Sequence, residues 1–309
     1  MGNWFEGSNP SLSASFLCFN IVMTMNENIT KNFLTNYSIE VTPNAAVKID
    51  NFAEVLPKNT RIYIAHIPGT PFEDMIKTAK KINDEGFIPM PHFPARIIKN
   101  KSTLKDWISQ YSNEANVSEG LVIAGGAKKP YGEFDSSIQL IETGIFDNAG
   151  FKRLHVAGHP EGNKDIDLDK SNEIVDEAIS WKNEFSKRTD AKMAITTQFC
   201  FESKPVIDWM SRLDNMGVDL PVHIGIAGPA KLQTLLRYSI ECGVGASIKV
   251  LQKRALDFTK LLVPYEPNSI INELALYKSK NPNFNIEQVH FFPLGGTKTT
   301  ARWVGNIHN

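Results

Sequence analysis

The sequence predicts a (β/α)8 barrel with an N-terminal extension, and three observations carry that expectation. From Tyr37 onward, short apolar runs alternate with longer stretches of helical period, as successive βα units of a parallel sheet require. Eight such units can be counted, and 309 residues suit one barrel with insertions. The first run, YSIEVTPN, lacks the Gly-x-Gly-x-x-Gly turn of a doubly wound, dinucleotide-binding sheet, the competing architecture.

Taken in order, residues 1–35 read as the extension and 36–309 as the barrel. The apolar stretch FLCFNIVMTM at 16–25 lacks a basic region before it and a small-residue cleavage pattern after it, and it is too short to span a bilayer. Met23 and Met25 leave a later start open. The strands read as Tyr37–Thr42, Arg61–His66, Phe87–His92, Gly120–Gly125, Arg153–Gly158, Lys192–Phe199, Pro221–Ile226 and Gly245–Val250. A ninth strand-like run, Val289–Phe292, is the alternative eighth strand. Helices are expected over Glu73–Glu85, Thr103–Asn113, Ser171–Arg188 and Lys204–Met216, with Ser102-Thr103 and Gly86 as start and stop signals.

Composition excludes several classes. Hydrophobic residues make up 42% and charged residues 22%, which rules out disordered and fibrous chains. A net charge of -1 without a long Lys/Arg run argues against a nucleic-acid partner, and no membrane association is expected. The three cysteines, Cys18, Cys200 and Cys242, form neither a CxxC nor a CxxH pair, so a reducing, cytoplasmic setting is expected.

In a barrel, chemistry gathers at the C-terminal ends of the strands. Those ends supply Glu40, His66, His92, Gly125-Gly126, His159, Gln198 and His223. One histidine at such a place is an ordinary structural residue; several at one rim favour function for the set. Glu40 interrupts an apolar strand, where burial costs free energy unless the carboxylate has a partner or a task. Desolvation there would raise its pKa and suit it to donate a proton; the structural alternative is an ion pair with a Lys or Arg across the barrel. No HxH, HxxxH or HxxEH spacing supports a metal site. The GHPEG turn at 158–162 could bring backbone amides close to a phosphate.

With these residues in view, the chain resembles the methylenetetrahydrofolate reductase family from about Tyr37 to Trp303. YSIEVTP, PMPHFPAR, VAGHPEG, ITTQF, HIGIAGP and VHFFPLGGTKTTARW match family segments in order. The resemblance implies a (β/α)8 barrel in which FAD interconverts 5,10-methylenetetrahydrofolate and 5-methyltetrahydrofolate. It implies that Glu40 is the general acid and that Gln198 and Tyr238 contact the folate. By the same resemblance, His66, His92, Gly126, Ala127, Ser136, His159 and Asn163 line the FAD, while Asn183 and Lys187 reach its phosphates. The chain departs from the family at Gly125-Gly126-Ala127, where Arg-Gly-Asp is usual, at Ala65-His66 and at His159. Those departures leave open the reaction direction, the electron partner (NAD(P)H or another) and a homo-oligomeric state. A non-catalytic folate- or flavin-binding relative is the first alternative, and a metal-dependent barrel hydrolase the second.

Overall fold

A computed structural model describes residues 25–163, 165–169, 171–244, 251–252 and 263–308. A helix over residues 25–33 (α1) precedes eight parallel strands that close into a barrel in chain order. The strands are β1 (Ser38–Val41), β2 (Arg61–Ile64), β3 (Ile88–Pro94), β4 (Glu119–Ile123), β5 (Arg153–Gly158), β6 (Lys192–Thr197), β7 (Val222–Ala227) and β8 (Ile286–Phe292). The main helices of the return path are α2 (Phe72–Asp84), α3 (Lys101–Ala115), α4 (Ser137–Glu142), α5 (Glu173–Ser186), α6 (Ser203–Asn215), α7 (Leu232–Glu241), α8 (Asn268–Lys280) and α9 (Thr297–His308).

Local chemistry explains where these helices begin and end. The Asn100 side chain accepts the Thr103 amide at 2.9 Å and starts α3, and Asn116, with φ 50°, ends it. Between them Leu104, Ile108, Tyr111 and Ala115 fall on one buried face, at the spacing a helix packed on a sheet requires. Helix α2 carries Glu73 and Asp74 in its first turn, where the helix dipole favours negative charge.

Side-chain alternation along the strands divides the molecule in two. Ile39, Val41, Ile62, Ile64, Phe93, Val122, Leu154, Val156, Ile195, Ile224, Ile226, Val289 and Phe291 face outward and form the main apolar core with the helices. The inward set is largely polar: Ser38, Glu40, Tyr63, His92, His155, Thr196, His223 and His290. Its apolar part is a small separate cluster of Tyr63, Met90 and Leu121.

The closing strand is Ile286–Phe292, which pairs with both β7 and β1. The expected strand Gly245–Val250 lies outside the described residues, and the alternative run that includes Val289–Phe292 closes the barrel. Between β7 and α8 the chain makes a long excursion. Ala230 and Tyr265 exchange backbone hydrogen bonds of 3.2 and 2.9 Å and tie its two ends together. Phe199, Phe201, Ala227, Ala230, Leu235 and Tyr265 pack there as a second apolar cluster at the C-terminal ends of the last strands.

Candidate functional site

Register and alternation stack the inward side chains in levels, each filled from alternate strands. A level near the mouth holds Glu40 and His92 beside the small residues Ala157 and Gly225, and the Thr197 and Gln198 carbonyls close over Gly225. Below it come Tyr63, Leu121, Thr196 and His290, then Ser38, Met90, His155 and His223. Arg61 and Glu119 form the floor, with Nε to Oε2 at 2.5 Å.

Contacts run down this stack. His92 Nε2 lies 3.2 Å from Glu40 Oε2, and His290 Nε2 lies 3.9 Å from the same oxygen. Both are ion-pair distances without hydrogen-bond alignment, and both nitrogens are buried. His290 Nδ1 meets Ser38 Oγ at 3.0 Å, and its ring packs on Tyr63 with centroids 4.3 Å apart. The Tyr63 hydroxyl lies 2.6 Å from His155 Nδ1 and 3.2 Å from Thr196 Oγ1. His155 meets His223 edge to face at 4.5 Å, and His223 Nε2 reaches Glu287 Oε2 at 2.8 Å. There the stack opens on a cavity of about 950 Å³ at the N-terminal ends of the strands, lined in part by Arg61, Arg153, His223 and Glu287.

The electrostatics correct the expectation for Glu40. Burial opposes its ionisation, but the adjoining imidazoles of His290 and His92 outweigh that penalty and bring the carboxyl down to about 2. In the ligand-free protein Glu40 is therefore an anion, and its partners are histidines from β3 and β8 in place of a Lys or Arg. The histidines move the other way from a charged state: burial lowers the pKa of His290, His155 and His223, leaving them neutral near pH 7.

The remaining residues singled out in the sequence fall into three places. Gln198 follows β6 at the mouth; its amide nitrogen donates to Gly158 O and its side-chain oxygen accepts the Phe199 amide. Tyr238 on α7 packs against the second apolar cluster, with Arg237 over its ring at 4.9 Å. Gly126 follows β4, and a Cβ there would meet open space. The loop behind it is held by Arg96, which donates to Ala127 O at 3.2 Å and to Asp135 Oδ1 at 2.7 Å. Ser136 caps α4 in a reciprocal box with Gln139. His159 follows β5, where burial and the nearby Lys182 charge lower its pKa to about 4. Asn163 accepts the Asp165 amide in a local turn.

Three of these residues face elsewhere. His66 has the outward parity of Ile62 and Ile64; its Nε2 meets Thr70 O at 3.2 Å and its ring packs on Trp107 of α3. Asn183 ties α5 to the turn before β7, donating to Gly217 O and accepting the Asp219 amide, so it lies toward the N-terminal end of the barrel. Lys187, just past the end of α5, is exposed and pairs with Glu184 at 2.6 Å. The pair thus follows the helix away from the mouth. His223 also departs from its expected rim position, because β7 begins at Val222 and the residue is the second of the strand.

Sequence reasoning passed over Tyr63, His155, Thr196 and His290. A signal for them existed. Each shares the inward parity of a polar strand-end residue or of the strand facing it, and a His or Tyr within RIYIAH, RLHVAG or VHFF interrupts an apolar run as Glu40 does.

No protein-family profile matches the chain. Among solved structures, it is similar to an uncharacterised protein from Clostridium thermocellum that binds two copies of 5-methyl-5,6,7,8-tetrahydrofolic acid. That match has a TM-score of 0.56 at 12% identity, covering 90% of this chain and 98% of the other. The 7,8-dihydropteroate synthase of Vibrio fischeri follows at a TM-score of 0.42 and 10% identity, covering 88% and 92%. The carboxyl transferase domain of Rhizobium etli pyruvate carboxylase stands at 0.41 and 9%, covering 86% and 50%. At 12% identity, the first of these likenesses establishes a shared barrel fold.

Proposed function

We propose that the mouth of this barrel binds a reduced folate carrying a one-carbon group, with its pterin ring seated beside Glu40 and His92. The observation that carries the reading is the polar pair at the mouth: an anionic carboxylate 3.2 Å from an imidazole, with Gln198 following the neighbouring end of β6. A reduced pterin offers N–H donors and ring nitrogens to such groups and a flat face to an aromatic residue such as Tyr238. The Clostridium thermocellum protein, similar over nearly its whole length, binds 5-methyltetrahydrofolate and supports the choice of ligand. Titration calorimetry with 5-methyltetrahydrofolate tests the proposal. Saturable binding that weakens in Glu40→Gln and Gln198→Ala is expected, and absence of binding overturns it.

A finer reading is an FAD-dependent interconversion of methylene- and methyltetrahydrofolate, and the open backbone at Gly126, just after the strand that pairs with β3, favours it. His92, Gly126, Ala127, Ser136, His159 and Asn163 belong to strand ends or loops of the mouth and fit a flavin there, which when bound would supply the redox chemistry. Asn183 and Lys187 do not fit as its phosphate contacts, since both lie beyond reach of the mouth. The test is the visible spectrum of the purified protein before and after addition of FAD. A flavin spectrum retained through gel filtration is the expected result. A protein that binds folate but never retains FAD leaves the folate reading standing alone.

A further inference from the structure

We propose that the cavity at the N-terminal ends of the strands, at the opposite end of the barrel from the mouth, is a second binding site. It takes a small zwitterion of the α-amino-acid type with an apolar side chain. The juxtaposition that carries this is a pair of guanidinium groups, Arg61 and Arg153, and one carboxylate, Glu287, lining a single cavity of about 950 Å³. A space of that size holds a small organic molecule. Barrel enzymes place their chemistry at the other end, so the role assigned here is binding and not turnover.

The charges of this floor do not cancel in place. Arg61 donates from Nε and Nη2 to Glu119, at 2.5 and 3.3 Å, and Arg153 donates from Nη1 to His155 Nε2 at 3.4 Å. Arg153 Nε also lies 3.9 Å from Glu119 Oε1, so the two guanidiniums share one carboxylate and one positive charge is left in excess. Arg61 Nη1 and Arg153 Nη2 have no hydrogen-bond partner among the described residues, and neither is enclosed. Glu287 supplies the opposite charge. Its Oε2 accepts from His223 Nε2 at 2.8 Å, and that bond, ahead of the charges of Arg153 and Arg61, holds its carboxyl below the usual range. Half of the Glu287 side chain remains exposed. Lys58 and Glu54, both exposed, add one charge of each sign at the rim.

One surplus cation beside one anion selects a ligand that carries the same two charges reversed. A carboxylate can take the free guanidinium nitrogens, and an ammonium group can take Glu287. A dianion such as inorganic phosphate would be pressed against Glu287, and a simple amine would leave the guanidiniums unanswered. The body of the ligand meets a wall that includes Leu56, Ile88 and Val304, which favours an aliphatic side chain. Helix α9 leaves room for it: Gly305 lines the cavity, and a Cβ there would meet no atom within 4 Å.

Titration calorimetry of the full chain with L-leucine tests the assignment, beside 4-methylpentanoate, which lacks the ammonium group, and 3-methylbutylamine, which lacks the carboxylate. The expected wild-type result is saturable binding of L-leucine, roughly tenfold or more tighter than either analogue, the scale of one hydrogen bond to a charged group. Glu287→Gln, at a half-exposed position, should weaken L-leucine by a similar factor and leave 4-methylpentanoate within about twofold. Gly305→Leu should abolish binding of L-leucine with the circular dichroism spectrum unchanged, because the added side chain enters open space from a helix that tolerates it. Absence of L-leucine binding to the wild type would overturn the proposal. So would 4-methylpentanoate bound as tightly as L-leucine, since Glu287 would then read nothing, or L-leucine bound undiminished by Gly305→Leu, since the ligand would then lie elsewhere. If Gly305→Leu does not fold, the comparison of the two carboxylates in Glu287→Gln decides alone. None of these outcomes bears on the folate reading of the mouth.

Discussion

The three fully buried histidines His155, His223 and His290 make this barrel acid-sensitive in a range where few proteins lose stability. Burial is the main cause of each lowered pKa. In the unfolded chain a histidine titrates near pH 6.5. As pH falls through that value the unfolded chain takes up protons that the folded protein refuses, so the stabilisation is complete above about 6.5 and is lost below it. A group that stays neutral costs about 1.4 kcal/mol for each unit below its unfolded value. Three such groups give an upper bound of about 4 kcal/mol per pH unit, against a total stability on the order of 5–15 kcal/mol. His223 and His290 should contribute less than His155, because Glu287 and Glu40 partly offset their burial. Urea denaturation at pH 7.5, 6.5 and 5.5 measures the slope, and a titration during unfolding counts the protons. The expected outcome is a loss of several kcal/mol between pH 7.5 and 5.5, with up to one fewer proton taken up by His155→Gln. Equal stability at pH 7.5 and 5.5 would refute the reasoning, since it would require these side chains to accept protons inside the barrel.

Other perturbations have separate readouts. Below pH 4.5 a further decline is expected, because the unfolded chain protonates Glu40 there while the folded protein keeps it ionised down to about 2, and Glu40→Gln should flatten that limb of the stability curve. Tyr63→Phe removes a hydroxyl that His155 and Thr196 share, at a cost of about 1–3 kcal/mol in chemical denaturation; an unchanged midpoint would show that the pair re-forms without it. Gly225→Ala would place a Cβ 2.4 Å from Thr197 O and 2.8 Å from Gln198 O, so β6 must shift at the mouth, lowering the melting temperature and weakening folate binding together. Arg96→Ala should speed tryptic cleavage after Lys128 while changing global stability by less than about 1 kcal/mol, because Asp135 is largely exposed and the contacts chiefly order a loop.

The fold was legible because outward-facing residues are apolar on every strand, so each strand announces itself whatever lies inside the barrel. The closing strand was harder to read. The excursion after β7 delays it by some tens of residues, and the run at 245–250 has the composition of a strand in the expected place. At the site, Glu40 and His92 were legible as polar residues near strand ends. Whether Glu40 is acid or anion was not, since that depends on His290, which lies 250 residues away in sequence and meets β1 only through the closure. Asn183 and Lys187 show the opposite failure: their four-residue spacing correctly placed them on one helix, but spacing alone cannot say which end of the barrel that part of the helix serves.

The polar interior also bears on how the molecule assembles. The apolar surface that drives collapse lies outside the sheet, so neighbouring βα units gain most of their burial by docking side by side, whether or not the ring is shut. Closing it brings β8 against β1 across more than 240 residues of chain and requires His290, Ser38, Glu40 and Tyr63 to shed water together. Ring closure therefore carries the largest loop-closure cost of any strand pairing in the barrel, and the histidine and carboxylate contacts form only in correct register.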